Sequence, residues 1–131
     1  MALLKTYISK NQQGTVTGVS EHALAYFIGN LQKDRQSPTV LICKNAEHVE
    51  TLQEEIGYLY PKIKVNTFPA WDVQPYDRLS ADPVIQAKRV SALNAIKENV
   101  AELVLTTPNA LSIRIPPLED LPKSLSIRVN D

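Results

Sequence analysis

TVLICKNAEHVETLQEEIGYLYPKIKVNT, residues 39–67, reads as strand, helix, strand. Thr39 to Cys43 follows Pro38 as a short apolar run containing β-branched residues, the pattern of a strand buried on both faces. Asn45 is a helix N-cap, and Val49, Leu52, Ile56 and Leu59 recur at the spacing of one helical face. Pro61 ends that helix, and Ile63, Val65 and Thr67 alternate as a second strand. Two strands joined by a helix that packs back on them form a parallel unit.

The flanking sequence repeats the alternation. Ser20 is a candidate N-cap, followed by Leu24, Phe27, Ile28 and Leu31 at helical spacing. Asp82-Pro83 combines a capping carboxylate with proline at the first helical position, and the helix is expected to run to about Asn99 with Ile85, Ala92, Leu93 and Ile96 inward. Leu103 to Leu105 form a third strand, and Thr107-Pro108 opens a short helix that Pro116-Pro117 terminates. The expected fold is α/β: a parallel, doubly wound sheet flanked by helices. Leu125, Ile127 and Val129 alternate again just before Asp131, as the start of a following domain would. The expected division is an N-terminal segment at 1–14, an α/β domain at 15–122, incomplete at its C-terminal side, and a new domain from 123.

Composition narrows the function. The 131 residues suit one domain, and 44% hydrophobic residues can supply its core. Lys+Arg and Asp+Glu each number 14, so no global positive field draws the chain to nucleic acid. One cysteine, Cys43, excludes an internal disulfide and a cysteine-based zinc site, and suits a reducing cytoplasm. The N-terminal residues lack a long apolar stretch or cleavage pattern, and no segment is apolar enough to span a membrane.

Three stretches could carry chemistry. TVTGVSEH, residues 15–22, lies where a phosphate-binding loop would lie, after a short strand and opening a helix. Such a loop needs glycine for close backbone approach, lysine for the phosphates and Ser/Thr for the metal. Gly18 and Ser20 are present, but Glu21 and His22 occupy the Lys-Ser/Thr positions. A carboxylate about 4 Å from a phosphate converts several kcal/mol of attraction into repulsion at moderate dielectric. The degenerate loop therefore reads as an ordinary turn into a helix.

FPAWDVQPYDRLSADP, residues 68–83, is a long loop holding the only tryptophan. Its carboxylates lack a supporting Glu or His, so it reads as a structural loop packed by Trp71 and Tyr76. Arg89 falls beside the buried face of the next helix, where a lone guanidinium costs several kcal/mol to desolvate. An ion pair from Arg89 to Asp72 or Asp77, with its planar fork also bonding loop carbonyls, is expected to tie loop to helix. Thr107, Asn109 and Arg114 form a third candidate, a weak DNA contact at a helix start. His22 and His48 lie on different helices and read as lone boundary residues, and Cys43 as a small hydrophobe. No residue is assigned as catalytic, no metal set is present and no cofactor is expected.

FPAWDVQPYDRLSADPVIQAKRVSALNAI, residues 68–96, resembles the signature near the N-terminus of bacterial transcription-repair coupling factors. Trp71, Asp72, Pro75, Tyr76, Asp77 and Arg89 fall within it. TTPNALSIRIPP, residues 106–117, resembles the family's later segment, although Ser112 and Ile113 replace a commoner Leu-Gln pair. The resemblance spans about residues 15–117. It implies a module similar to the damage-recognition protein UvrB, with a degenerate P-loop in a helicase-like domain. Further implications are an ATP-driven DNA translocase downstream, contacts with UvrA and RNA polymerase through later domains, and a later segment that completes this domain. The loop here is shorter than UvrB's tyrosine-rich hairpin, so strand separation is not expected of it. The expected role is a non-catalytic scaffold in transcription-coupled nucleotide excision repair. The alternatives are a nucleotide-hydrolysing helicase-like domain, which Glu21 disfavours, and an independent flavodoxin-like binding module.

Overall fold

A computed structural model describes residues 13–33, 35, 37–73, 78 and 80–121. Their elements run α1 (Glu21–Gln32), β1 (Thr39–Ile42), α2 (Ala46–Leu59), β2 (Val65–Phe68), α3 (Pro83–Lys97), β3 (Leu103–Thr106), α4 (Pro108–Leu111) and a 3-10 turn (Leu118–Asp120). The three strands form a parallel sheet in the order β1-β3-β2, with Thr39 and Val65 both in register with Leu103. Sheet and flanking helices match the α/β reading. The expected tail strand at Leu125 to Val129 lies outside the described residues.

β3 is buried along its whole length because it is central and covered on both faces. Leu103 and Leu105 point to one core with Ala25, Ile28, Leu52 and Ile56 from α1 and α2. Val104 points to a second core with Phe68, Ala92, Leu93 and Ala110. Cys43 joins the first core as the expected small hydrophobe.

The helix boundaries follow local chemistry. Asn45 caps α2 by accepting the His48 amide at 2.9 Å, and Asp82 caps α3 by accepting the Val84 amide at 2.7 Å. Ser20 has the extended backbone of an N-cap but makes no side-chain capping bond. α3 stops at Lys97 rather than Asn99, because Asn99 turns into the left-handed region at φ 56° and the chain reverses onto the Ala95 carbonyl. α4 ends at Leu111, well before Pro116.

The inward faces differ from the periodic reading in detail. Ala25, Gly29 and Gln32 are buried on α1 alongside Ile28, with Leu24 and Phe27 partly buried. Gly29 lies against the Tyr60 ring, and Gln32 accepts the Thr39 hydroxyl at 2.6 Å. Leu59, expected inward, is the last residue of α2 and is 46% exposed.

Candidate functional site

In open α/β sheets ligands collect beyond the carboxyl ends of the strands, where neighbouring strands send their connections to opposite faces. That point lies between β1, which continues into α2 and the first core, and β3, which continues into α4 and the second. A cavity of about 290 Å³ adjoins the end of β1, lined in part by Glu21, His22, Lys44, Asn45, Glu47 and His48. The degenerate loop positions Glu21 and His22 therefore do face the expected region.

What they do there is local. Lys44 donates to Glu21 in an ion pair whose two side chains are both exposed. The Lys44 hydrogen bond and charge hold the Glu21 carboxyl below its ordinary range, and the Glu21 hydrogen bond and charge in turn raise the Lys44 ammonium. Residues 13–20 are exposed and contain no strand, so the strand expected before Gly18 is not found among them. Gly18 adopts φ +80°, a left-handed turn that glycine takes without steric cost. The carboxylate of Glu21 faces the cavity, and the nearby cation, Lys44, is already engaged by it.

The two histidines, read separately from sequence, share this cavity. Both imidazole nitrogens of His48 are buried without a protein hydrogen-bond partner. Among the described residues no three His, Cys, Asp or Glu side chains are arranged to hold a metal.

The signature loop meets α3 through stacking. Arg89 is 4% exposed, with its guanidinium 4.0 Å from the Phe68 ring centroid and 4.6 Å from that of Trp71. Its Nη1 donates to the Pro69 carbonyl at 2.6 Å, the expected bond to a loop carbonyl. The expected Arg89–Asp72 ion pair is not formed. Asp72 instead accepts the Asp82 amide at 3.2 Å, holding the first turn of α3. Among the described residues two aromatic faces and a carbonyl meet the guanidinium, and the other expected partner, Asp77, lies outside them. Burial lowers the Arg89 pKa from its ordinary value. Pro75, Tyr76 and Asp77 lie outside the described residues.

Thr107, the inner member of the suggested DNA contact, is buried, and its hydroxyl accepts the Ala110 amide at 3.4 Å as the cap of α4. Asn109 and Arg114 are exposed. α4 is a single turn, followed by the apolar Ile113 and Ile115.

That apolar segment marks a surface the sequence did not reveal. Val40, Leu111, Ile113 and Ile115 surround a cavity of about 170 Å³ floored by Phe68 and Val104. Ile42 follows Val40 on the same face of β1, and these five rim side chains are 39–55% exposed. Among the described residues β1 is also an open edge. The amides of Thr39 and Cys43 bond to β3, so those of Val40 and Ile42 point away from it.

Comparison with models of known families, with curated proteins and with solved structures finds no match. The fold and these surfaces define the class: a small parallel α/β domain with a charged cavity and an apolar sheet margin. Among the described residues no helix is long and apolar enough to cross a membrane.

Proposed function

We propose that this chain is a non-catalytic packing domain of a transcription-repair coupling factor, acting in transcription-coupled nucleotide excision repair. In this reading it is a UvrB-like, helicase-related α/β domain that works in the cytoplasm. The parent reaches UvrA, RNA polymerase and DNA through other domains and supplies the ATP-driven translocation. The observation that carries the proposal is the margin of β1, where Val40, Ile42, Leu111, Ile113 and Ile115 present apolar surface beside strand amides that no described residue pairs. Large exposed apolar patches mark sites where other polypeptide docks, and open strand edges invite pairing.

Two further features support the reading. The signature residues Trp71, Asp72 and Arg89 have structural duties, fixing the loop to α3. The carboxylate of Glu21, read from sequence at the lysine position of a degenerate phosphate-binding loop, engages Lys44.

Binding of an environment-sensitive hydrophobic dye, together with a magnesium-ATP thermal shift, tests the proposal. The chain is expected to bind the dye through the β1 margin. A Val40→Ser/Ile42→Thr variant, folded by circular dichroism, is expected to lose most of that signal. Magnesium-ATP is expected to leave Tm unchanged, whereas ligand at 100 times its Kd would stabilise by about 2.7 kcal/mol. Dye binding unaffected by the double substitution, or a magnesium-ATP shift abolished by Ser20→Ala, counts against the proposal.

A further inference from the structure

The amino-terminal end of the sheet holds a larger groove that the packing role does not use. It encloses about 670 Å³ beyond the C-terminal ends of α1 and α2. Lys33, Arg35 and Lys62 stand on its rim, and Glu102 is the one acidic side chain lining it. Glu102 is itself occupied, accepting the Lys64 amide at 3.1 Å. In a chain with 14 basic and 14 acidic residues this is a local surplus of positive charge. Among the described residues Lys33, Arg35 and Lys62 form no ion pair; Asp34 and Gln36, neighbours of Arg35 in the chain, lie outside them.

The floor is apolar. Leu59 is 46% exposed there, with Ile63 and the Tyr60 ring beside it. Tyr60 is fixed in place: its hydroxyl accepts from Asn30 at 2.7 Å and donates to the Tyr26 carbonyl at 3.2 Å. Lys33 lies 4.9 Å from the centre of the same ring. The helix ends account for part of the charge, since cations just past a helix C-terminus complement its dipole. They do not account for an exposed leucine on a fixed aromatic floor between those cations.

We infer that this groove binds an acidic peptide segment of a protein partner, with an apolar side chain seated over Leu59, Tyr60 and Ile63 and carboxylates meeting Lys33, Arg35 and Lys62. Buried apolar contact supplies affinity and the charged rim supplies selectivity and rate of encounter. A nucleic acid fits less well. Phosphodiester backbones need a continuous track of cations, and three cations around an apolar floor do not form one.

Fluorescence anisotropy with the full chain tests this. The probe is a labelled peptide of about twelve residues, rich in Glu and carrying two leucines. Its controls replace Glu by Gln, or Leu by Ser, and a single-stranded oligonucleotide of equal charge forms a further arm. Binding of the acidic, leucine-bearing peptide is expected, at least tenfold tighter than either peptide control and than the oligonucleotide, and severalfold weaker when salt rises from 50 to 200 mM. Lys33→Glu/Lys62→Glu, checked for folding by circular dichroism, is expected to weaken it at least tenfold. Lys88→Glu, on α3, is expected to change it less than twofold. No binding at 100 μM peptide, equal binding of the Gln control, tighter oligonucleotide binding, or an unaffected double variant would overturn the inference.

Discussion

Replacing Arg89 separates two accounts of how the signature loop is held. The guanidinium lies against Phe68 and Trp71 and donates to Pro69, while burial opposes its charge. Arg89→Ala removes a charge-assisted hydrogen bond worth about 1.5–3 kcal/mol and two cation–π contacts of about 0.5–2 kcal/mol each. Relief of guanidinium desolvation, of order several kcal/mol, offsets part of this, and the empty stem volume adds a cavity cost. We expect a net loss of about 2–4 kcal/mol. Arg89→Met keeps the stem and gives sulfur–aromatic contacts of about 0.3–1.5 kcal/mol, so its loss should be smaller, about 0–2 kcal/mol. Arg89→Lys keeps the charge but concentrates it on a strongly hydrated ammonium without a planar face. Its expected loss exceeds that of Met. Urea titration followed both by far-UV circular dichroism and by the single tryptophan, Trp71, reads stability and loop attachment together. The stacking account gives the order Met, then Lys, then Ala in increasing loss. Lys tolerated better than Met would refute it and restore a carboxylate partner as the dominant contact.

Other expectations are as direct. Gly29→Ala would drive its new methyl into the anchored Tyr60 ring; overpacking of about 1–3 kcal/mol should outweigh a helix-propensity gain of about 1 kcal/mol, lowering the urea midpoint. Burial raises the Cys43 thiol above its ordinary pKa, so its contribution is complete below the unfolded value, about 8.5, and is lost as pH rises through the folded value. Denaturation between pH 8 and 9.5 should show a decline that Cys43→Ala lessens. Glu21 has a lowered pKa, so its contribution is present above the unfolded value and lost as pH falls through the folded one. Lys44→Gln should move the Glu21 carboxyl titration upward by NMR; an unmoved titration would deny the ion pair. Asp82→Ala, which removes the α3 cap, should cost about 1 kcal/mol by urea titration.

The fold was legible where one strong local signal had no competitor. Asn45 and Asp82 announced their helices because a side-chain oxygen can satisfy an otherwise unpaired amide at that position. Strand β3 was visible as a short apolar run because both its faces are covered. The ends were harder. Asn99 leaves the helix through a left-handed conformation that asparagine tolerates, a choice periodicity does not report.

The sites were less legible because they depend on distance in space. Arg89 was recognised as needing partners and its bond to a loop carbonyl was foreseen, but the stacking on Phe68 and Trp71 depends on residues that sequence spacing does not bring together. His22 and His48 share a cavity only because α1 packs on α2. The exposed Val40 and Ile42 were hidden by the same logic, since a run of apolar residues cannot show that helices cover β1 on one face only.

Strand-specific repair in the source organism tests the proposed role most directly. The measurement is the rate at which ultraviolet lesions disappear from the transcribed and non-transcribed strands of an active gene, with Val40→Asp/Ile42→Asp placed in the chromosomal copy. Two charges on the apolar margin should prevent packing of the domain within its parent. The account predicts that the transcribed strand loses its faster repair and falls to the rate of the other strand, with the latter unchanged. Faster repair retained on the transcribed strand, with the variant protein present at its normal level and its docking face disrupted, would contradict it.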